Sequence, residues 1–286
     1  MKLHEMLREG QNILCNAGIT EYESDVKSLA MYALEYDYSG LMLHMLDDVS
    51  DDIYDKFISY VNERSQHKPC QYITGEQWFM GYQFHVEPGV LIPRPETELL
   101  VERAVSMMEA VDCCKALDVC CGSGCIGISF SLLRQGNKHP DDEITLLDIS
   151  DKAIEVSNFN NITLAAKCSI IKSDLFDEIN EKYDIIMSNP PYICTADIEE
   201  LESTVKDFEP RLALDGMEDG LFFYKRIIME ARNYLNDKGK LLFEIGYNQF
   251  EDVRRLLVDA GYIDICLIKD YSGLDRIVSA GWNYSV

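Results

Sequence analysis

At 286 residues, 47% of them hydrophobic, the chain has room for one full-sized domain plus a smaller one and the apolar content for a substantial core. Its 50 Asp and Glu against 26 Lys and Arg leave a net charge of −24, which argues against DNA or RNA as the main partner, because cations that neutralise phosphates supply most of that affinity. No apolar run approaches the roughly 18 residues of a membrane span, and the charged start Met1-Lys2-Leu3-His4-Glu5 lacks a signal-peptide core, so no membrane association and a cytoplasmic location are expected.

The acidity suits a basic protein partner or a small molecule, or serves solubility alone. Without an export signal the ten cysteines are expected to stay reduced. Cys113, Cys114, Cys120, Cys121 and Cys125 crowd together without forming a Cys-x-x-Cys, and the five His residues are scattered. These thiols read as small buried apolar groups and no metal is expected.

Residues 1 to about 73 read as helical. Leu3, Met6, Leu7, Ile13 and Leu14 recur at roughly helical spacing, Asp25–Tyr36 is rich in helix formers, and Ser50 is placed to cap a third helix with Ile53, Phe57, Ile58 and Val61 on one face. Lys68-Pro69 ends it. From Gln77 to Ile92, aromatic and β-branched residues broken by Gly81 and Gly89 predict a hairpin. A helix from Pro95 to about Ala110 follows, with Glu96 and Glu98 at its positive end.

From Lys115 strands and helices alternate. Candidate strands are Ala116–Val119, Ile144–Asp148, Ser169–Lys172, Asp184–Ser188, Lys240–Ile245, Ile263–Ile268 and Arg276–Ala280. Helical patterns at Cys125–Leu133, Lys152–Phe159, Phe222–Leu235 and Gln249–Ala260 lie between them. That alternation predicts a doubly wound α/β domain.

Two loops carry chemistry. Cys120-Cys121-Gly122-Ser123-Gly124 joins the first strand to a helix, where a glycine-bearing turn lets a ligand approach the backbone and the positive helix end. The second strand ends in Asp148, 24 residues after Gly124, placed to accept both hydroxyls of a ribose or, alternatively, to cap the helix from Ser150. Together they point to an adenosine-containing cofactor, either a dinucleotide or S-adenosylmethionine. The other loop, Asn189-Pro190-Pro191-Tyr192, follows the strand Asp184–Ser188, at the strand end where open α/β sheets bind ligands. The Asn189 side chain and the Pro190 carbonyl offer two acceptors for a planar NH₂ group, and Tyr192 is placed to pack on its flat face. Holding both N–H groups favours the pyramidal, nucleophilic nitrogen, which stabilises the transition state over the ground state.

In these motifs the sequence resembles the release-factor glutamine methyltransferases. The shared pattern is Gly75-Glu76, Phe79, Phe84, the run Gly89-Val90-Leu91-Ile92-Pro93-Arg94-Pro95-Glu96-Thr97-Glu98, the cofactor loop, Ser173-Asp174-Leu175-Phe176, Asn189-Pro190-Pro191-Tyr192-Ile193 and Phe208-Glu209-Pro210-Arg211-Leu212-Ala213-Leu214. The resemblance implies a helical substrate-docking domain over residues 1–73, a β-hairpin linker over 74–93 and a seven-stranded Rossmann-like class I methyltransferase domain over 94–286. It implies S-adenosyl-L-methionine held by Cys120, Cys121, Gly122, Ser123, Gly124, Asp148 and Leu175, with Asn189 touching cofactor and substrate. Asn189, Pro190, Pro191 and Tyr192 would hold the target, a glutamine in the Gly-Gly-Gln loop of class-1 peptide-chain release factors, and Asn189, Pro190 and Tyr192 would be catalytic. Cys120 stands where the family usually has Gly, so its side chain must be accommodated. Arg94 and Glu96 read either as part of the motif's function or as a helix cap with a surface ion pair.

Three other classes fit the motifs in part. A nucleic-acid amino-group methyltransferase fits the Asn-Pro-Pro-Tyr loop but not the charge. A dinucleotide oxidoreductase fits the spacing of Gly122, Gly124 and Gly127 but leaves Asn189–Tyr192 without a role. A binding module leaves both loops idle.

Overall fold

The computed structural model describes residues 1–136 and 139–284. Two compact units emerge, one of Met1–Glu76 with Glu202–Phe208, the other of Gln77–Leu201 with Glu209–Val286.

The first unit is helical: α1 (Leu3–Asn16), α2 (Tyr22–Leu34), α3 (Tyr38–Leu43), α4 (Asp51–Ser65) and α5 (Cys70–Thr74). Leu3, Met6, Leu7 and Leu14 of α1 pack in one core with Val26, Leu29, Phe57 and Val61. α1 and α4 approach closely at Gly10, where an added Cβ would lie 2.7 Å from the Phe57 ring. Arg64 is buried and pairs with Asp25 at 2.7 Å, which satisfies a charge that burial alone would make costly. Two short helices were not expected. Asp37 caps α3 by accepting from the Gly40 N–H at 2.7 Å, so the helix from Asp51 is the fourth, and one turn, α5, follows Pro69. Ser50 stands at the N-cap of α4 as expected, but its hydroxyl makes no capping bond. α2 runs three residues earlier at its start and two at its end than the expected Asp25–Tyr36.

The hairpin pairs β1 (Glu76–Phe79) with β2 (Tyr82–His85), shorter than the expected stretch to Ile92. Met80 and Gly81 between them both have positive φ, 52° and 78°, the twist that two-residue hairpin turns need. Pro95–Thr97 form one 3-10 turn before α6 (Glu98–Met107), which ends short of the expected Ala110.

The second unit is built on seven strands: β3 (Lys115–Val119), β4 (Glu143–Asp148), β5 (Cys168–Lys172), β6 (Tyr183–Ser188), β7 (Leu235–Glu244), β8 (Ile263–Lys269) and β9 (Asp275–Gly281). Their order is β5-β4-β3-β6-β7-β9-β8, parallel throughout except for β9, which is antiparallel to both neighbours. Between and around them lie α7 (Cys125–Gly136), α8 (Asp151–Thr163), α9 (Ser203–Lys206, in the helical unit), α10 (Arg211–Leu214), α11 (Phe222–Ala231) and α12 (Phe250–Asp259). Alternation along the strands feeds two cores. Leu117, Val119 and Phe243 pack with Tyr224, Ile227 and Val253 on one face. Ala116, Met187 and Leu242 pack with Leu100, Ile126 and Phe130 on the other.

The expected strands and helices of this unit recur with shifted ends. The largest shift is at β7, which starts at Leu235, so α11 stops at Ala231 instead of Leu235. Leu235 is fully buried and pairs with Tyr183, and the irregular step between Tyr183 and Ile185 absorbs the turn-like Asn236–Gly239. Because β4 and β6 flank β3 on opposite sides, the strand order reverses there, and the carboxyl ends of these three strands frame a crevice.

Candidate functional site

The turn after β3 is set by three residues with positive φ: Cys120 at 62°, Gly122 at 54° and Gly124 at 81°. Cysteine takes a left-handed conformation at position 120 at a cost of about 1–2 kcal/mol. Gly124 has no such alternative, because a Cβ there would lie 2.8 Å from Ile128 and 3.1 Å from Leu146. The turn is anchored by Cys121 N–H donating to the Leu147 carbonyl at 3.0 Å and by Gly124 N–H donating to the Cys121 carbonyl at 2.8 Å.

Asp148 closes β4. One carboxylate oxygen accepts from Gly122 N–H at 2.9 Å and the other from Ser150 N–H at 2.9 Å. It therefore ties the two strand ends together. Burial raises its pKa, against the lowering effect of these N–H groups. The N-cap of α8 is Ser150, whose hydroxyl accepts from Ala153 N–H at 3.3 Å, so Asp148 is not the capping residue. Leu175, buried after β5 with φ 47°, is fixed by the Ser173 hydroxyl donating to its carbonyl at 2.7 Å.

Past the end of β6, Asn189 is half-buried and Pro190 and Pro191 are buried. Among the described residues nothing hydrogen-bonds the Asn189 side chain, and no backbone N–H donates to the Pro190 carbonyl. Both acceptors lack a partner among the described residues. The loop continues onto the stretch after α10: Ile193 N–H donates to the Leu214 carbonyl at 3.0 Å and Gly216 N–H to the Ile193 carbonyl at 2.8 Å, around a parallel bridge of Ile193 with Asp215. Tyr192 packs against the core, and burial pushes its hydroxyl pKa up.

A cavity of about 580 Å³ joins these pieces, within the usual range for ligand sites of roughly 300–1,000 Å³. Of the residues singled out from sequence, Cys120, Cys121, Gly122, Ser123, Asp148, Leu175, Asn189 and Pro191 line it. Gly124, Pro190 and Tyr192 stand behind the lining. The remaining wall brings in residues given no site role from sequence: Thr97, Ile149, Ala153, Leu212, Phe222 and Arg226.

Two buried acids support that wall. Glu209 accepts from Arg94 and, at 3.3 Å, from Ile92 N–H; its side chain is only 2% exposed. The alternative of a surface ion pair for Arg94 is thereby corrected: its partner is this buried acid. Glu244, at the end of β7, accepts from the Thr97 hydroxyl at 2.5 Å, and burial pushes its pKa up to about 6. Glu209 stands in the motif Phe208–Leu214 that carries the family resemblance, whereas Glu244 was not separable by type from the many surface acids of so acidic a chain.

No group of three or more His, Cys, Asp or Glu among the described residues is arranged to hold a metal, and the ten cysteines are free. None of the described helices is long and apolar enough to cross a membrane.

Comparison with known proteins gives this geometry a family. Residues 95–208 match the methyltransferase small domain and residues 5–75 the PrmC N-terminal domain. The fold is shared with a Thermus thermophilus 16S rRNA N2 G1207 methyltransferase solved with AdoMet and guanosine, at TM-score 0.51 and 16% identity over 72% of this chain and 49% of that one. A release factor glutamine methyltransferase of Clostridium acetobutylicum is 37% identical over 98% of each chain. One of Clostridium botulinum is 38% identical over 98% of this chain and 99% of its own. With that identity over nearly the whole length, the chain belongs to the release factor glutamine methyltransferase family, a family of S-adenosylmethionine-dependent enzymes.

Proposed function

We propose that this enzyme transfers a methyl group from S-adenosyl-L-methionine to the side-chain amide nitrogen of the glutamine in the Gly-Gly-Gln motif of class-1 peptide-chain release factors. One observation carries the reading: Asn189 and the Pro190 carbonyl stand as two open acceptors on a proline-stiffened loop beside a cavity with an acid at the end of β4. Family membership supports release factors as the substrate class.

The cavity fits the cofactor on its own chemistry. The Asp148 carboxylate keeps lone pairs for the ribose hydroxyls, and Leu175, Ile149 and Ala153 give apolar surface for the adenine. The turn Cys120–Gly124 brings backbone to the N-terminus of α7, where a carboxylate is favoured. Bound there, S-adenosylmethionine supplies an electrophilic methyl group on a sulfonium centre.

The chain's own residues do the rest. The substrate amide nitrogen is a poor nucleophile because its lone pair is delocalised, as the ~18–20 kcal/mol rotation barrier of peptide bonds shows. Asn189 Oδ1 and the Pro190 carbonyl accept its two N–H groups and favour the geometry in which the lone pair is free. The two prolines stiffen the backbone that carries the Pro190 carbonyl before the substrate arrives, so little backbone reorganisation is needed during reaction. Tyr192 braces the loop from the core side, and the apolar walls exclude water. The helical unit of residues 1–76 is the proposed docking surface for the rest of the release factor, and no direct nucleic-acid contact is required.

The test is incubation of a class-1 release factor with enzyme and cofactor, followed by peptide mass spectrometry. One added methyl on the Gly-Gly-Gln glutamine supports the proposal. Methylation of an adenine-containing oligonucleotide instead of the protein would overturn it in favour of the nucleic-acid reading.

A further inference from the structure

We propose that Gln249 is a positioning residue for methyl transfer: it fixes the far end of the Asn189–Tyr192 loop and so aims the two acceptors. The inference rests on the function proposed above. Gln249 precedes α12, is 9% exposed, and lies outside the cavity lining. Its side chain joins three segments. Nε2 donates to the Tyr192 carbonyl at 2.9 Å and to the Gly220 carbonyl at 3.3 Å, while Oε1 accepts from Gly246 N–H at 2.9 Å. Both amide N–H groups and one of the two lone pairs of Oε1 are used, and no other neutral side chain of that length offers two donors and an acceptor.

The surroundings leave no slack. A Cβ at Gly220 would sit 2.4 Å from the Tyr192 carbonyl oxygen, and one at Gly246 2.8 Å from Gln249 Oε1. Backbone thus lies on backbone where the amide is seated. At the near end of the loop, the Ser188 hydroxyl donates to the Val119 carbonyl at 2.7 Å and holds the end of β6 to β3. Between these two anchors the prolines fix two of the φ angles and the peptide planes are rigid. Only a few torsions remain, and the peptide that ends the loop is held on both sides, its Tyr192 carbonyl by Gln249 at 2.9 Å and its Ile193 N–H by the Leu214 carbonyl at 3.0 Å. The direction of the Pro190 carbonyl is therefore set in part from Gln249, about two peptide units away.

A positional error near 1 Å at a reacting centre costs about 10²-fold in rate. Gln249→Ala is expected to lower kcat on that order while the Kd for S-adenosylmethionine stays within about twofold of wild type, because Gln249 itself lines no part of the cavity and the turn after β3 and Asp148 are untouched. Gln249→Glu keeps the volume and the acceptor for Gly246 N–H. Ionised, it turns a carboxylate toward the two carbonyls that the amide served; protonated, its O–H donates to one of them. The ionisable groups on the elements meeting there are Asp219 and Lys225 beside Gly220, Glu244 and Arg276 on β7 and β9, Glu251 and Asp252 on α12, and the hydroxyls of Tyr192 and Tyr224. All of these are present in wild type as well. The experiment is single-turnover methyl transfer to a Gly-Gly-Gln peptide by wild type, Gln249→Ala and Gln249→Glu from about pH 8 to about pH 6. The rate ratio of Gln249→Glu to wild type should rise as pH falls, and that of Gln249→Ala should stay low and flat. A Gln249→Glu ratio independent of pH, or a Gln249→Ala kcat equal to wild type, overturns the inference. Failure of wild type itself to methylate the glutamine overturns the proposed function instead.

Discussion

Single residues at the cavity serve structure and ligand at once. Asp148 accepts from Gly122 and Ser150 N–H groups, so the acid proposed to hold the ribose also holds the cofactor turn. Removing a hydrogen bond to a charged group costs about 1.5–3 kcal/mol. Asp148→Ala is therefore expected to weaken S-adenosylmethionine binding by about 10- to 150-fold in calorimetry; an unchanged Kd removes Asp148 from the site. This residue was legible in sequence because an acid at a strand end after a glycine turn has few other uses. Cys120 was legible as a departure, and its φ of 62° explains why glycine suits that position. The thiol is accommodated beside Ser188, and burial pushes its pKa well up. Gln249 was not legible. A glutamine near a helix start is ordinarily solvent-facing, and only the meeting of three loops reveals what it holds.

At the level of elements, strands were read well because β3, β4 and β6 are short, buried runs bounded by turn residues, and the two site loops follow directly from their ends. What escaped was set by tertiary contact. β7 runs five residues earlier than its apolar pattern because Leu235 finds a buried place beside Tyr183. α3 had its signal in Asp37, a capping acid before a weak helical stretch. Two buried acids in the second unit give its elements a pH signature. Asp118 on β3 accepts from Gly127 N–H at 2.8 Å, its other oxygen has no partner among the described residues, and burial pushes its pKa up to about 8. Glu244, which joins β7 to the turn before α6, is pushed up to about 6. Both pKa values are raised on folding, so the neutral form is the stabilising one. Their contribution is fully present below the unfolded carboxylate range and is lost as pH rises through about 6 and then about 8. The unfolding midpoint should therefore fall between about pH 5 and pH 8.5. Glu244→Gln and Asp118→Asn, which cannot ionise, should each flatten that slope in thermal melts, and parallel slopes would contradict the assignment.

For the whole molecule, the division into a helical unit and an α/β unit has one feature that no linear reading would give. Glu202–Phe208, between two motifs of the second unit, belongs to the helical one. A truncation that removes the N-terminal helices would strand this segment, so their role is best tested on the intact chain. The net charge of −24 supplies such a test. If the acidic surface steers a basic partner, the association rate with a release factor should fall several-fold between low salt and physiological salt, as the Debye length shrinks from ~30 Å at 0.01 M to ~8 Å. Stopped-flow rates independent of ionic strength would make the charge incidental to capture. The family itself was legible because its motifs, Glu209 among them, keep their order along the chain, whereas the supporting acid Glu244 was hidden among fifty acidic residues.

The central claim is that the loop after β6 activates an amide nitrogen, and Asn189→Ala tests it most directly. The substitution removes one of the two acceptors and leaves the Pro190 carbonyl. Losing one such preorganised polar group slows turnover by about 10²–10³-fold. Single-turnover methyl transfer to a Gly-Gly-Gln peptide, with cofactor titrated in parallel on folded protein, should show that fall in rate at saturating S-adenosylmethionine, with the loss in kcat exceeding the loss in substrate affinity. A wild-type rate at saturation, whether or not cofactor binds more weakly, would contradict the account and leave Asn189 as a cofactor ligand only.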